Sequence, residues 1–579
     1  MNKLYLLTTS ILLSITPLNA QDLANKIPKE VNAVVSIKGG NLTELFSIQD
    51  FGKTVFGKKI EKELSRKEKS KTLLESGIDI ASTGYYFYEA TDSIQYHCAL
   101  VPIKNSNQFE SLFSRPEKIT TIKGQKAFYK KYDKTSIMVW NDKMMLFING
   151  KVSKSYFSNN KVRKQYDLPI IENENHLHKY GYYDIFESRS QEKDITFQYL
   201  TDKIDQIFNT PLPSKESILS NRDYLKAQNK NAEISIWVSD IMKVYSNILK
   251  ESNIHRYSAL LLNGIYSGKY GNQDISGHMF LEEKEIKANI TYHMDKEMGG
   301  RMKKIYSNSL NKKFLNYINE EEILGYASYV INTEEFLTEY PKMIQNTLGD
   351  LYKTETDILA DLLSIVLDEK AIGKVIKGDA LFLMYDLNDK EVAYKTYEYD
   401  EEYNYKEIEK TRTETIPDFL LLLSSGDTDL IKKIFDYGQE KGIVSLENGV
   451  YRIKYKTLPT EIYVNINQEI ITIGNNKERV IKNNTINKKV SKKHKQILQN
   501  SSSSIFINTQ EIVKVAKAYN SRKKTERKLE YLFNNVEDIQ LTTSKVKNNK
   551  MSIDLKMELP TGHKNGLQYL ITLLEEMNK

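Results

Sequence analysis

Residues 27–46 read IPKEVNAVVSIKGGNLTELF, and this line constrains the fold more than any other because the chain uses it twice. It joins an extended lead, a β-branched run (Val34, Val35, Ile37), a Gly39-Gly40 break and a helical spacing of Leu42, Leu45 and Phe46. A similar line recurs at 318–337, INEEEILGYASYVINTEEFL. After the first copy come strand-like runs at 85–90 and 94–103, parted by Thr91-Asp92-Ser93, and a short helix at 105–113. A meander follows at 118–122, 126–132, 136–141 and 144–149, with turn residues in its gaps. After the second copy the order is the same: strands at 380–387 and 419–424, a helix at 427–437 capped by Asp427, and strands at 443–446, 450–455, 461–466 and 470–473.

The remaining pieces also match each other. EISIWV (233–238) leads into a helix at 240–250, a hairpin at 275–281 and 286–292, and a helix at 295–306. SIFIN (504–508) leads into a helix at 509–519, a hairpin at 539–545 and 551–558, and a helix at 564–577. The expected fold class is therefore α+β: an internally duplicated A-B-A-B arrangement of mostly antiparallel sheets with helices packed on one face. The expected divisions are a leader at 1–20, module A1 at 21–151, a polar bridge at 152–230 and module B1 at 231–312. Module A2 follows at 313–476 with an insertion at 390–415, then a basic linker at 477–500 and module B2 at 501–579. Bridge, insertion and linker are polar and are expected to be exposed.

Met1 to Ala20 reads as a secretory leader: Lys3, an apolar run at 4–18, and Leu18-Asn19-Ala20 before Gln21. No later segment approaches the length of a membrane span, the richest being 358–367 and 419–423. Without a cysteine near the cleavage point, no lipid anchor is expected, and the product should be periplasmic or secreted. Cys98, the only cysteine, excludes an intramolecular disulfide and any multi-cysteine zinc site. The formal charge of +7 rests on 83 basic against 76 acidic residues, and Lys, Asn and Ile are all frequent, as an AT-rich genome produces by itself. This excess makes no case for nucleic acid as a partner.

The chemistry-bearing residues form no known catalytic spacing. The eight histidines (97, 176, 178, 255, 278, 293, 494, 563) include no H-E-x-x-H or H-x-x-E-H. Glu172, Glu174, His176 and His178 alternate and on a strand would share a face, the best metal candidate; a polar surface stretch is the plainer reading. Glu398 with Asp400, Glu401 and Glu402 is acidic enough for calcium but lacks the glycine-containing loop pattern. His97 and Cys98 are adjacent on one strand and so point to opposite faces. GIYSGKYG (264–271) and Gly299-Gly300 match no phosphate fingerprint. Gly39-Gly40 resembles a phosphate loop until its counterpart, Val330-Ile331-Asn332, is seen to lack the glycines. The basic run 488–495 reads as a solvated linker, and most of the 38 tyrosines as strand packing. No catalytic, cofactor-binding or metal residue is assigned.

The opening I-P-K-x-x-x-x-V-V-x-I after a leader resembles uncharacterised exported proteins of the Bacteroidota. The resemblance implies a Gram-negative envelope setting and carries no catalytic residues. The expectation is a non-catalytic envelope protein that binds a partner protein or an apolar ligand through its sheets. Two rivals stand beside it: a hydrolase with a carboxylate site, and a carrier of lipid or lipoprotein. A binding module should show equivalent apolar surfaces in both halves, an enzyme one pocket of converging titratable groups.

Overall fold

Runs rich in Val, Ile, Tyr and Phe suit a pleated surface and become the strands of an α+β protein. The computed structural model describes residues 23–64, 72–113, 118–172, 185–186, 188–239, 273–348, 354, 358, 368–399, 405–453, 460–481, 490–518 and 536–578. Among them are twenty strands, falling in two compact units. The leader, 1–20, lies outside the described residues.

The first unit takes residues up to 256 with 274–280. Its strands are β1 (Ala33–Lys38), β2 (Thr83–Ala90), β3 (Ile94–Pro102), β4 (Thr120–Ile122), β5 (Gln125–Lys130), β6 (Asp133–Trp140), β7 (Met144–Val152), β8 (Ile234–Val238) and β9 (Ile275–Leu281). They lie antiparallel in the order β9-β8-β1-β2-β3-β7-β6-β5-β4. The second unit takes 257–273 and 281–579. It holds β10 (Glu285–His293), β11 (Gly325–Val330), β12 (Asp379–Tyr399), β13 (Tyr405–Ser424), β14 (Val444–Glu447), β15 (Val450–Ile453), β16 (Ile462–Ile466), β17 (Ile470–Gly474), β18 (Ser501–Ile507), β19 (Ile539–Ser544) and β20 (Lys550–Glu558). Their order is β10-β20-β19-β18-β11-β12-β13-β17-β16-β15-β14, again antiparallel.

From β19 onward the second order runs through the same positions as the first. The register repeats as well. Ser36 opposes Ser235 beside the pair Val34–Trp237, and Ser328 opposes Ser504 beside Tyr326–Phe506, all of them buried. The Ser328 and Ser504 hydroxyls are 2.6 Å apart. The boundary between units falls inside 231–312, since β10 pairs along its whole length with β20.

Three expectations need correction. The bridge at 152–230 is exposed over much of its described length, yet part of it joins the core. The helix Arg189–Phe208, capped by the Ser188 side chain, buries Ile195, Leu200, Ile204 and Ile207 against Ile94 and Ile148. Arg163 is buried there too, donating to the carbonyls of Phe157 (3.2 Å), Ile185 (2.7 Å) and Pro169. The linker at 477–500 is also structured where it is described: helix Lys492–Asn500 buries His494 and Leu498, one turn apart, and Leu498 joins Phe314, Leu383 and Phe506 in the second core. Finally, helices pack on both sheet faces. Phe109, in the short helix Ser106–Glu110, covers Trp140 and Met145 on the side of the first unit's sheet opposite Leu146 and Ile148. The helix Asp429–Glu440 covers Tyr451, Val464 and Ile471 through Ile431 and Phe435.

The insertion at 390–415 is a two-stranded arm. After a bulge between Met384 and Asp386, β12 and β13 pair, among the described residues, only with each other, from Asp386–Asp418 out to Tyr399–Tyr405. At ~3.3 Å per residue this ribbon runs on the order of 45 Å.

Candidate functional site

The line that opens each half positions the site. Gly39 begins the helix Gly39–Leu45, and a Cβ there would come 1.8 Å from the Ile80 carbonyl oxygen and 2.7 Å from that of Ser82. The glycine is thus required for close backbone approach. In the second half the Asn332 side chain does the local work, accepting from the Glu335 backbone N–H. Each turn ends a strand, β1 or β11, that lies inside its unit's sheet, paired on both sides.

One face of each sheet is closed by its core. On the other, the register lines up apolar residues from strand to strand. In the first unit the row is Gly277, Ile236, Val35, Tyr86, Ala99, Phe147, Met138, Phe128. In the second it is Ala288, Leu555, Leu541, Ile505, Ala327, Phe382, Leu421, Ile473, Val464, Tyr451, Leu446. Most of both rows is half-buried; the exposed members are Ile236 and Phe147 in the first and Leu555, Ile505 and Leu446 in the second. Ile236 is 41% exposed and its counterpart in register, Ile505, 43%. Phe147, Ile37, Tyr329, Ile290 and Ile553 on the same faces are also exposed. A one-sided antiparallel sheet puts polar residues on its open face. These exposed apolar side chains depart from that pattern.

The first unit adds a polar margin to its row. The Tyr86 hydroxyl lies 2.7 Å from His97 Nδ1, and the Tyr88 ring is 5.1 Å from the imidazole. Burial holds the His97 pKa below its ordinary value, with Lys151 adding to the effect, so a neutral imidazole faces the site near pH 7. At the same register positions the second unit has Phe382, Met384 and Phe419, and Phe382 stacks on Phe419.

A separate polar cavity of about 220 Å³ lies at the root of the arm, lined by Asn388, Asp389, Lys390, Asp418, Asn475 and Asn476 among others. Asp418 accepts from Arg479 Nε at 3.0 Å, and the Arg479 guanidinium sits 3.8 Å from the Tyr385 ring centroid. Asn475 fixes the root by accepting from the Phe419 N–H (3.0 Å) and donating to the Pro417 carbonyl (2.8 Å). These hydrogen bonds anchor the ribbon and leave the cavity suited to small polar groups.

The residues singled out from sequence do not converge. Glu172 is exposed, while Glu174, His176 and His178 lie outside the described residues, as do Asp400, Glu401, Glu402 and 264–271. Glu398 pairs with Lys410 on the arm. Gly299 and Gly300 sit inside the helix Lys296–Ile305. Cys98 is fully buried, which pushes its thiol pKa up, and it faces away from His97. Of the basic run, 488–489 lie outside the described residues and Lys492–Lys495 begin a helix. Among the described residues no group of three or more His, Cys, Asp and Glu could hold a metal ion, and no helix is long and apolar enough to cross a membrane. The apolar rows were missed although a signal existed. Runs such as ISIWV, FLLLL and IITI are apolar at both parities, which marks strands with two apolar faces.

No family model matches the chain, and no curated protein matches it. Two solved structures, crystal forms III and IV of TP0453, are similar over 47% of this chain and about four-fifths of theirs (80% and 79%), at 8% identity and a TM-score of 0.23. A likeness that weak carries no argument about fold or function.

Proposed function

We propose that this is an exported, non-catalytic protein of the bacterial envelope, built from two copies of one A-B module, that binds a protein surface or an apolar ligand on its open sheet faces. The observation that carries the reading is the apolar row at the same register in both units, with Ile236 and Ile505 exposed at matching positions. Covering the exposed two-fifths of one such isoleucine is worth about 0.6–1.2 kcal/mol, so several of them together supply useful affinity without any polar recognition. The leader-like first twenty residues and the resemblance of the opening line support the envelope setting.

The test is binding of an environment-sensitive apolar dye, together with native mass spectrometry of protein taken from the envelope fraction. Ile236→Asp and Ile505→Asp should each reduce dye binding while circular dichroism stays unchanged, and the double substitution should nearly abolish it. Undiminished dye binding by a folded double variant would remove the basis for the proposal.

A further inference from the structure

The arm's register sorts its charges. Beyond Asp386 and Asp418 the ribbon has no third strand among the described residues, and none of the described side chains at 388–398 or 405–415 is buried. Directly opposed residues share a face, and neighbours along a strand alternate. One face therefore carries Lys390, Lys406, Lys410 and Arg412 against Glu398 and Glu414. The other carries Asp389, Glu391, Glu407 and Glu409 against Lys395. The first is net basic and the second net acidic.

Ion pairs keep to these faces: Lys410–Glu398 and Arg412–Glu414 on the basic one, Lys395–Glu407 on the acidic one. After those pairs, Lys390 and Lys406 on one side, and Glu391 and Glu409 on the other, have no ion-pair partner among the described residues. The acidic face also presents Tyr397 and Tyr405, ring centroids 6.3 Å apart and 63% and 71% exposed. Exposed tyrosines are the anchors that protein contacts favour. The corresponding hairpin of the first unit turns at 91–93 and has no such extension.

We propose that the arm is a self-association element, in which the acidic face of one copy's ribbon stacks on the basic face of another copy's. A surface with opposite charge on its two sides is complementary to a second copy of itself, and like faces repel. Such a contact is heterologous. Each addition leaves a free face, so assembly grows with concentration and does not stop at a dimer. It also weakens with salt, because the charges are exposed.

The experiment is sedimentation velocity on the full chain across protein concentration and ionic strength. Wild type should associate at low salt and dissociate at high salt. E407K/E409K makes both faces basic and K410E/R412E makes both acidic, so each alone should remain monomeric. An equimolar mixture should associate again, because every face then meets its opposite. A chain with 389–415 replaced by Thr-Asp-Ser, which keeps the buried Ile416, should be monomeric with an unchanged unfolding midpoint. The proposal is overturned by a wild type that stays monomeric at low salt, by association of the shortened chain, or by failure of the mixture to associate while both variants are folded.

Discussion

The correction at 152–230 can be tested through one contact. Leu200, on the helix Arg189–Phe208, is fully buried over β7. A Cβ placed on Gly150 would come 2.7 Å from Leu200 Cδ2 and 3.1 Å from Ile94 Cδ1. The packing is thus tight, and the site has little freedom to collapse. Leu200→Ala should cost roughly 3–4 kcal/mol, within the ~2–5 kcal/mol range for such truncations. Gly150→Ala alone should cost about 1–3 kcal/mol by overpacking. Together they should cost less than their sum by at least ~1 kcal/mol, because the new methyl occupies space that Leu200 vacated. Urea unfolding followed by tryptophan fluorescence is the assay. Both tryptophans, Trp140 and Trp237, are in the first unit, so the signal reports that unit alone. With m near 2–3 kcal/mol/M, Leu200→Ala should lower the midpoint by roughly 1–2 M. A loss below ~1 kcal/mol would show that the segment is not core, and strict additivity would refute the contact.

Gly39→Ala should destabilise the first unit by more than ~3 kcal/mol, since its methyl meets backbone oxygen and not a side chain that can move, while Gly40→Ala should be tolerated; the same fluorescence titration compares them. Arg163→Met leaves three carbonyls without their donor and should cost about 3 kcal/mol on that titration. His494 gives a pH dependence in the second unit. Burial holds its pKa below the unfolded value, with Glu320 opposing and Lys493 assisting, so below about pH 6.5 the unfolded chain takes up the proton first. Stability from this residue is complete above that pH and falls as pH drops through it. His494→Phe should flatten the slope between pH 7.5 and 5 in hydrogen exchange of β18, at a small cost at neutral pH from the stranded Tyr326 hydroxyl.

The hairpins, the short capped helices and the meanders were legible because turn residues punctuate strand-length runs. The core role of 189–208 was not, because Ile195, Leu200, Ile204 and Ile207 are dispersed among Lys, Asp and Gln. Composition averaged over that segment therefore reads as polar. At 492–500 the lysines dominated the reading, although His494 and Leu498 sit four apart on one helix face. The apolar rows are a different case. Runs apolar at both parities are visible locally, but a row exists only once Ile505 is known to oppose Ala327, and Phe382 to oppose Leu421. Register between residues so distant in sequence is a tertiary property. The charge sorting of the arm depends on it equally, since EYDEEYNYKEIEK reads as a mixed charged stretch until its strands are paired.

The two partly exposed faces are alike in register and unlike in chemistry, and that difference bears on what they would hold under the proposed function. Folding alone asks nothing apolar of Ile236 or Ile505, because a threonine would serve a strand position that is two-fifths exposed. Keeping isoleucine at both positions makes sense if something covers them. The coverings need not be the same. Beside its row the first unit offers the Tyr86 hydroxyl and a neutral His97, groups that both donate and accept. The second offers Phe382, Met384 and Phe419 at those positions. A group with hydrogen-bonding capacity can satisfy it on the first face, and on the second would leave that capacity unmet, at a cost of about 1–3 kcal/mol per polar group. His97→Leu should therefore shift the first face's preference toward wholly apolar ligands without loss of dye binding. Phe419→His should give the second face tolerance for polar ones. Unchanged ligand preference in both folded variants would mean that the margin is structural and the rows alone set what binds.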